Sequence, residues 1–204
     1  AQRPDATACA DYDLWNRQMR RYVRRGATGI ALIDTSQGKP ALRYVFDLSD
    51  TGGKENSRRP YLWQYREEHL DAVSAALERR FNIPAGDDLI EQMESVAAQL
   101  AMEYWNDHKR DILDIVDGSF LAEYDEFNIG AAFRNAATVS ITYSLLSRCD
   151  LRPEEYFIHE DFLNIFDFNT ADLIGELGTA VSEGSEQVLR QREVTIKQDA
   201  REKL

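Results

Sequence analysis

Five arginines lie within nine residues near the start of the chain, in the segment DYDLWNRQMRRYVRRGATGIALI, residues 11–33. A guanidinium is a planar fork of donors that suits phosphate oxygens, and a glycine lets backbone approach a ligand closely. The segment therefore indicates phosphate binding, although basic runs are also typical of a solvated helix face followed by an ordinary turn. The candidate residues are Arg17, Arg20, Arg21, Arg24, Arg25, Gly26 and Gly29.

A second group of cations follows a pair of glycines. The segment SDTGGKENSRRP, residues 49–60, contains almost no apolar side chain and predicts a mobile loop, with residues 51–56 more mobile than their surroundings. We interpret this loop either as a solvated linker or as an arm that closes on a ligand. Its candidate phosphate contacts are Lys54, Arg58 and Arg59, and Arg43 from the preceding strand adds one more.

Three aromatic residues among these cations are candidates for stacking on bases: Trp15, Tyr22 and Tyr44. Proteins that bind single-stranded nucleic acid combine such rings with a positively charged surface. The pattern around Trp15 favours a core position instead, because Leu14, Trp15 and Met19 share the inner face of a helix predicted over residues 13–20. Stacking remains the alternative for Trp15.

The elements that position these residues are a hairpin and a set of helices. Residues 29–35 and 41–48 predict two antiparallel strands joined by a turn at 36–40, and this is the only sheet that we expect. By period two, one face of the second strand carries Leu42, Tyr44, Phe46 and Leu48, and the other carries Arg43, Val45 and Asp47; we expect one of the two faces to be buried. Helical periodicity dominates after residue 61, including a long helix from a cap at Asp87 to about residue 116.

These elements predict an α+β protein in which a small β-hairpin module packs on a larger, mainly helical bundle. The expected domains are a basic module over residues 1–60 and an acidic helical region over 61–204. Residues 1–66 hold 12 Lys and Arg against 7 Asp and Glu, whereas residues 67–204 hold 12 against 29. Two such different surfaces suggest different tasks, and a local basic patch is sufficient for an encounter with phosphate in a protein of net charge −12.

The rest of the composition gives weaker indications. No apolar run reaches the length of a membrane span, and the two cysteines are typical of a reduced, cytoplasmic protein without a disulfide framework. The chain begins with Ala1, so we expect a piece of a longer protein whose other domains would be partners.

Catalytic constellations are not found in the sequence. His159 and Glu160 resemble the start of a zinc-protease helix, but Leu163 stands where the second histidine is needed. The paired acidic residues are adjacent in sequence and point in different directions on a helix. We therefore expect no catalytic residues, no metal site and no cofactor.

Four stretches suggest a family: AQRPDATACA, then Trp15, then RRGATGIALI, then RYVFDLSD. They resemble the N-terminal domain of ArdC-type antirestriction proteins, in which a basic turn of the form V-[RK]-[RK]-G-x-x-G-I precedes strands; residues 23–30 match it position by position. The longer arrangement is similar to the start of large conjugative-element proteins of Gram-positive gut bacteria that also carry helicase and DNA-methylase regions. The resemblance implies single-stranded DNA binding through Arg24, Arg25 and Trp15. The HExxH helix of the family's protease half is absent from this sequence, so protease activity is not implied.

The sequence thus favours a non-catalytic DNA-binding module, with single strands preferred, in an antirestriction or mobile-element protein, with no membrane partner. The alternative is that the acidic helical region is a protein-interaction module. Its carboxylates would either mimic DNA and occupy a restriction enzyme or another DNA-processing protein, or provide an ordinary acidic docking surface.

Overall fold

The computed structural model describes residues 3, 5–34, 41–60, 62–85 and 88–202, with only the backbone described for Ile33 and for residues 200–202. The predicted turn at 36–40 and the predicted cap at Asp87 lie outside these residues. The chain divides into two compact units, Ala1–Leu62 and Trp63–Leu204, which we call the N-terminal unit and the C-terminal unit. Within the described ranges, no helix combines the length and the apolar character needed to cross a membrane.

A three-stranded antiparallel sheet, in the order β1-β4-β3, forms the larger part of the N-terminal unit. The pairing of β3 (Ile30–Asp34) with β4 (Ala41–Asp47) is the predicted hairpin, and its register joins Ile30 to Val45 and Asp34 to Ala41. The two-residue strand β1 (Cys9–Ala10) adds to the other edge of β4, so the predicted lead-in segment is part of the sheet.

The two faces of β4 differ in burial, and the covered one carries Val45 and Asp47. Val45 and Asp47 are buried, whereas Leu42 is 63% exposed and Tyr44 is 50% exposed. Period-two alternation separates the two faces of a strand but does not say which one is covered. Here the covered face includes the Asp47 carboxylate, which accepts several hydrogen bonds, while Phe46 and Leu48 on the other face are half-buried.

A second, two-stranded sheet was not predicted. It pairs β2 (Arg21–Val23) with β5 (Thr51–Gly53), which follows a short 3₁₀-helix at Leu48–Asp50. The predicted helix over 13–20 is a five-residue π-helix, Leu14–Gln18, that cannot continue because Arg20 has a φ of 51°. The predicted mobile loop is wrong at its start, since Thr51 and Gly52 are buried and hydrogen-bonded in a ladder.

The C-terminal unit is built from four long helices: α1 (Leu70–Phe81), α2 (Leu89–Asp114), α3 (Glu126–Arg148) and α4 (Ala171–Glu202). Short 3₁₀-helices lie at Glu67–His69, Phe120–Glu123, Pro153–Glu155 and His159–Asp167. No strand occurs among the described residues after 61. The protein is therefore α+β, as predicted.

The core lies between α1, α2, α3 and α4, and glycines of α3 and α4 pack directly against side chains of neighbouring helices. A Cβ at Gly130 of α3 would lie 2.8 Å from the Trp105 ring of α2, and one at Gly184 of α4 would lie 2.7 Å from Ile141 of α3. Helix α3 contains residues of low helix propensity, and its stability depends on this burial. Three of its hydroxyls, those of Thr138, Thr142 and Ser144, donate to the carbonyl four residues earlier, as in the hydrogen bond of 2.8 Å from Thr142 to the Thr138 carbonyl.

Gly130→Ala is expected to lower the free energy of unfolding by about 1–2 kcal/mol, because overpacking against Trp105 outweighs the better helix propensity of alanine. Gly178 of α4 is the matched control, because a Cβ added there would meet no neighbouring side chain within 4 Å. Gly178→Ala should raise the same quantity by about 0.5–1 kcal/mol. Urea denaturation followed by circular dichroism measures both, and equal stabilisation by the two substitutions would contradict the close crossing.

One charged side chain is fully buried in the C-terminal unit. The Arg192 guanidinium donates to Cys149 Sγ at 2.5 Å and to Met93 Sδ at 3.4 Å, and it lies 4.8 Å from the centroid of the Tyr65 ring. Its Nε and Nη2 have no hydrogen-bond partner among the described residues. Burial lowers the pKa of this guanidinium.

Candidate nucleic-acid interface

The pair of strands β2 and β5 positions most of the candidate cations. Tyr22 is opposite Gly52 and Arg21 is opposite Gly53. A Cβ at Gly52 would clash with the Tyr22 ring, so the glycine is needed for that ring to lie across the ladder. Tyr22 remains 46% exposed. The Tyr22 ring therefore lies directly over the backbone of Gly52 and keeps part of its surface exposed.

Three exposed cations meet at the end of the ladder where β2 begins. The backbone N–H of Lys54 donates to the Arg20 carbonyl at 3.2 Å, and the N–H of Arg58 donates to the Met19 carbonyl at 2.8 Å. Lys54 Nζ also donates to Asn16 Oδ1 at 2.5 Å. Arg20, Lys54 and Arg58 are thus brought together from two segments that are more than thirty residues apart in sequence.

Two further cations lie at the opposite end of the ladder, in a tight turn. The N–H of Arg24 donates to the Asp50 carbonyl at 2.8 Å, and the N–H of Ala27 closes the turn on the Arg24 carbonyl at 3.1 Å. Gly26 has a φ of 87°, a conformation that glycine adopts without strain. Arg24 and Arg25 are exposed at this turn, and one Arg24 nitrogen donates to the Ser49 carbonyl at 3.3 Å.

Two of the proposed DNA-binding residues are buried, and their assignment is corrected. Trp15 is a core residue whose indole N–H donates to the Phe46 carbonyl at 2.7 Å, so it has no free face for a base. Arg21 points inward and its Nε donates to Thr51 Oγ1 at 2.7 Å. Since Tyr22 points outward, Arg21 must point to the other face of the strand. Neither inward-pointing residue is available to a phosphate.

Other candidates lie away from the ladder. Arg43 belongs to β4 of the larger sheet and pairs with Asp11 at 2.9 Å, whereas Arg17 pairs with Asp13 at 3.4 Å on the π-helix. Tyr44 is exposed on β4, also in the larger sheet. Arg59 is exposed next to Arg58. Gly29 does not leave room for a ligand, because the side chain of Tyr44 already occupies the space beside it. A Cβ added at Gly29 would lie 3.1 Å from the Tyr44 Cβ.

The residue that the sequence reasoning missed is Asp47. Its carboxylate accepts hydrogen bonds from the N–H groups of Thr7 at 2.7 Å, Ala8 at 2.9 Å and Ser49 at 2.8 Å, and from the Ser49 hydroxyl at 2.6 Å. Burial alone would raise the pKa of Asp47, but the hydrogen bonds from Ser49, Thr7 and Ala8 outweigh it and hold that pKa well below its usual range.

Asp47 and its neighbours attach the start of the chain to the segment that carries β5. Arg3 pairs with Asp50 and also donates to Ser49 Oγ at 2.9 Å. The signal in the sequence was the D-x-S-D order, since an aspartate often accepts from the backbone two residues later. These hydrogen bonds couple the lead-in segment to RYVFDLSD, residues 43–50, in the structure.

Among the described residues, no three His, Cys, Asp or Glu side chains are grouped so that they could hold a metal ion. The candidate groups exposed at the ladder are the cations of Arg20, Arg24, Arg25, Lys54 and Arg58 and the ring of Tyr22, with the carboxylate of Glu55 next to Lys54. Comparison with known proteins finds no matching family model, no curated relative and no similar solved structure.

Proposed function

We propose that the N-terminal unit is a non-catalytic module that binds single-stranded DNA across the β2–β5 ladder, in a cytoplasmic protein of the antirestriction or mobile-element type. The observation that carries the proposal is the arrangement of exposed cations at both ends of the ladder with the half-exposed Tyr22 between them. Arg20, Lys54 and Arg58 would contact phosphates at one end, and Arg24 and Arg25 at the other.

The separation of the two groups suits a strand lying along the ladder. Residues 20 and 24 flank a three-residue strand, and extended backbone rises about 3.3 Å per residue, so the groups are roughly 13 Å apart. A base between the phosphates could then stack on Tyr22, an interaction that contributes about 1–3 kcal/mol per base. Bases in a duplex are already stacked and paired, and this favours a single strand as the ligand.

The salt dependence of binding tests the proposal quantitatively. If four of the five exposed cations contact phosphate, the slope of log affinity against log salt on a single-stranded oligonucleotide should be about −3, and raising salt from about 50 to about 200 mM should weaken binding about 50-fold. Arg24→Gln with Arg25→Gln should flatten that slope to about −1.5. Fluorescence anisotropy of a labelled oligonucleotide with the 204-residue chain measures both values.

The matched control removes the same charge from arginines outside the ladder. Arg17→Gln with Arg43→Gln should leave the slope within about 0.3, because both side chains already have carboxylate partners. A duplex of equal length should bind more weakly than the single strand. The proposal is wrong if the two double variants flatten the slope equally, or if the unmodified chain shows no salt-sensitive binding at about 50 mM salt.

A further inference from the structure

Two adjoining cavities of about 550 and 360 Å³ run along one face of α3 in the C-terminal unit. Their other wall is the 3₁₀-helix His159–Asp167. Both cavities are lined by Asn135 and Asn164, and Asn164 Nδ2 donates to Asn135 Oδ1 at 2.8 Å where they meet. We call the two depressions together the α3 groove, and the hydrogen bond between Asn135 and Asn164 joins its two walls midway along it.

The residues that line each wall recur with the period of the helix that carries them. On α3, Asn128, Ala131, Asn135 and Val139 recur every three or four residues and so share one face. At 1.5 Å per residue this face is about 16 Å long, which is three helical turns. On the 3₁₀-helix, with three residues per turn, Asp161, Asn164 and Asp167 share the opposite wall.

The α3 groove is negatively charged. Its lining contains no Lys, Arg or His, and its carboxylates are Glu94, Glu160, Asp161 and Asp167. Glu94 accepts from the Tyr156 hydroxyl at 2.5 Å, and Asp161 accepts from the Ile158 N–H at 2.9 Å. None of the four forms an ion pair with a described residue. The charge is therefore available to a cationic ligand.

Large apolar side chains that are neighbours in sequence of the groove-wall residues are exposed. Phe127 is 77% exposed and lies one turn before Ala131 on α3. On the 3₁₀-helix, Leu163 and Phe166 are 52% and 62% exposed, each directly preceding a residue of the groove wall. A further face of this segment packs into the core through Ile165 and the following Phe168. Clustered exposed apolar groups beside a depression mark an interaction site.

We propose that the α3 groove binds a basic amphipathic helix of a partner protein. Lysine or arginine side chains on such a helix would meet the carboxylates of the groove, and its apolar side chains would contact Phe127, Leu163 and Phe166. A helix laid in a groove with anchors three and four residues apart is a recurring recognition mode. The groove length of about 16 Å fits about three turns of the ligand.

Charge complementarity selects this occupant. Residues 63–204 contain 13 Lys and Arg against 29 Asp and Glu, so the unit attracts cations and repels nucleic acid. The neighbouring apolar side chains would bind an amphipathic helix more tightly than a simple polycation, because only the helix has apolar side chains to contact them. The site is independent of the proposed DNA-binding ladder, because it uses other residues and a ligand of opposite charge, so either proposal can fail alone.

The test uses a fluorescein-labelled peptide of about 14 residues, with leucines spaced three and four apart and lysines elsewhere. Binding to the full chain is measured by anisotropy at about 0.15 M salt, where the Debye length of about 8 Å suppresses attraction by distant charges. Glu160→Lys with Asp167→Lys should weaken binding at least about tenfold, because like charges then face each other. Phe166→Ser should weaken it at least about threefold.

The chain provides matched controls for both changes. Asp111→Lys with Asp114→Lys makes the same charge change on the exposed face of α2, where lysines near a helix C-terminus are favourable. Ile174→Ser removes a comparably exposed apolar side chain from α4. Each control should change the affinity less than about twofold, and circular dichroism verifies that all variants keep their helix content.

Several results would overturn the proposal. Equal weakening by the two double charge reversals would mean that the peptide binds the acidic surface in general. If a peptide with serines in place of the leucines binds as tightly, then the apolar side chains do not contribute to binding and the proposed apolar anchors are wrong. Absence of binding at about 100 μM peptide would reject the groove as a helix site. Sedimentation that shows self-association abolished by Phe166→Ser would identify a second copy of the chain as the occupant instead.

Discussion

Asp47→Ala is expected to lower the free energy of unfolding of the N-terminal unit by about 3–4 kcal/mol. The change removes the acceptor of three part-buried N–H groups, on Thr7, Ala8 and Ser49, and of the Ser49 hydroxyl, and each hydrogen bond contributes about 1 kcal/mol. Hydrogen exchange of these three amides measures the loss directly. Asp13→Asn, at an exposed surface pair, is the control and should cost less than about 0.5 kcal/mol.

The same carboxylate gives a defined pH dependence. Because the pKa of Asp47 is lower in the folded than in the unfolded chain, its contribution to stability is complete above about pH 4 and is lost as the pH falls towards the folded pKa. Asp47→Asn keeps the shape but has no charge to lose. The stability difference between the native chain and this variant should therefore shrink below about pH 4, and a difference that stays constant down to about pH 2 would contradict the role of the charge.

Arg192→Met is expected to raise the free energy of unfolding of the C-terminal unit by about 1–4 kcal/mol. The guanidinium is taken fully out of water beside two sulfur atoms and a tyrosine ring, with two nitrogens unpartnered among the described residues. Replacing a buried charge by an apolar side chain of similar length commonly stabilises a protein by that amount. Thermal and urea denaturation of the full chain measure the change.

Arg190→Met is the control for this substitution, two residues earlier on the same helix. Arg190 is exposed and pairs with Glu186 at 2.5 Å, so its replacement should change stability by less than about 0.5 kcal/mol. If Arg192→Met instead destabilises the unit by more than about 1 kcal/mol, then the contacts with Cys149 and the Tyr65 ring outweigh the cost of burying the charge.

Patterns that extend over many residues predicted the fold well, whereas elements of two or three residues were not predicted. The helical spacing after residue 61 and the alternation in residues 41–47 extend over enough residues to define a period, and both the helices and the β3–β4 pairing are confirmed. β1, β2 and β5 contain two or three residues each, too few for any period to be recognised. Their existence depends on pairing with segments that are distant in sequence.

The sequence predicts which charged residues belong to the candidate interface, but it does not predict how they are arranged. Composition identifies Arg24, Arg25 and Arg58, but only the pairing of β2 with β5 separates the inward Arg21 from the outward Tyr22. The glycine pair at 52 and 53 predicts a flexible loop, because glycine is more often found in turns. The actual role of Gly52, which makes room for the Tyr22 ring across the ladder, can be recognised only when the partner strand is known.

The hydrogen bonds at Asp47 have a consequence for how this part of the chain can change during evolution. The carboxylate accepts from the main-chain N–H groups of positions 7 and 8, which every amino acid except proline provides. The Thr7 hydroxyl adds a longer hydrogen bond of 3.2 Å to the same carboxylate, but the two main-chain hydrogen bonds need no particular side chain, while proline is excluded from both positions. Substitutions that a sequence comparison would score as large can leave the attachment intact, and related chains could diverge here without losing the structure that supports the ladder.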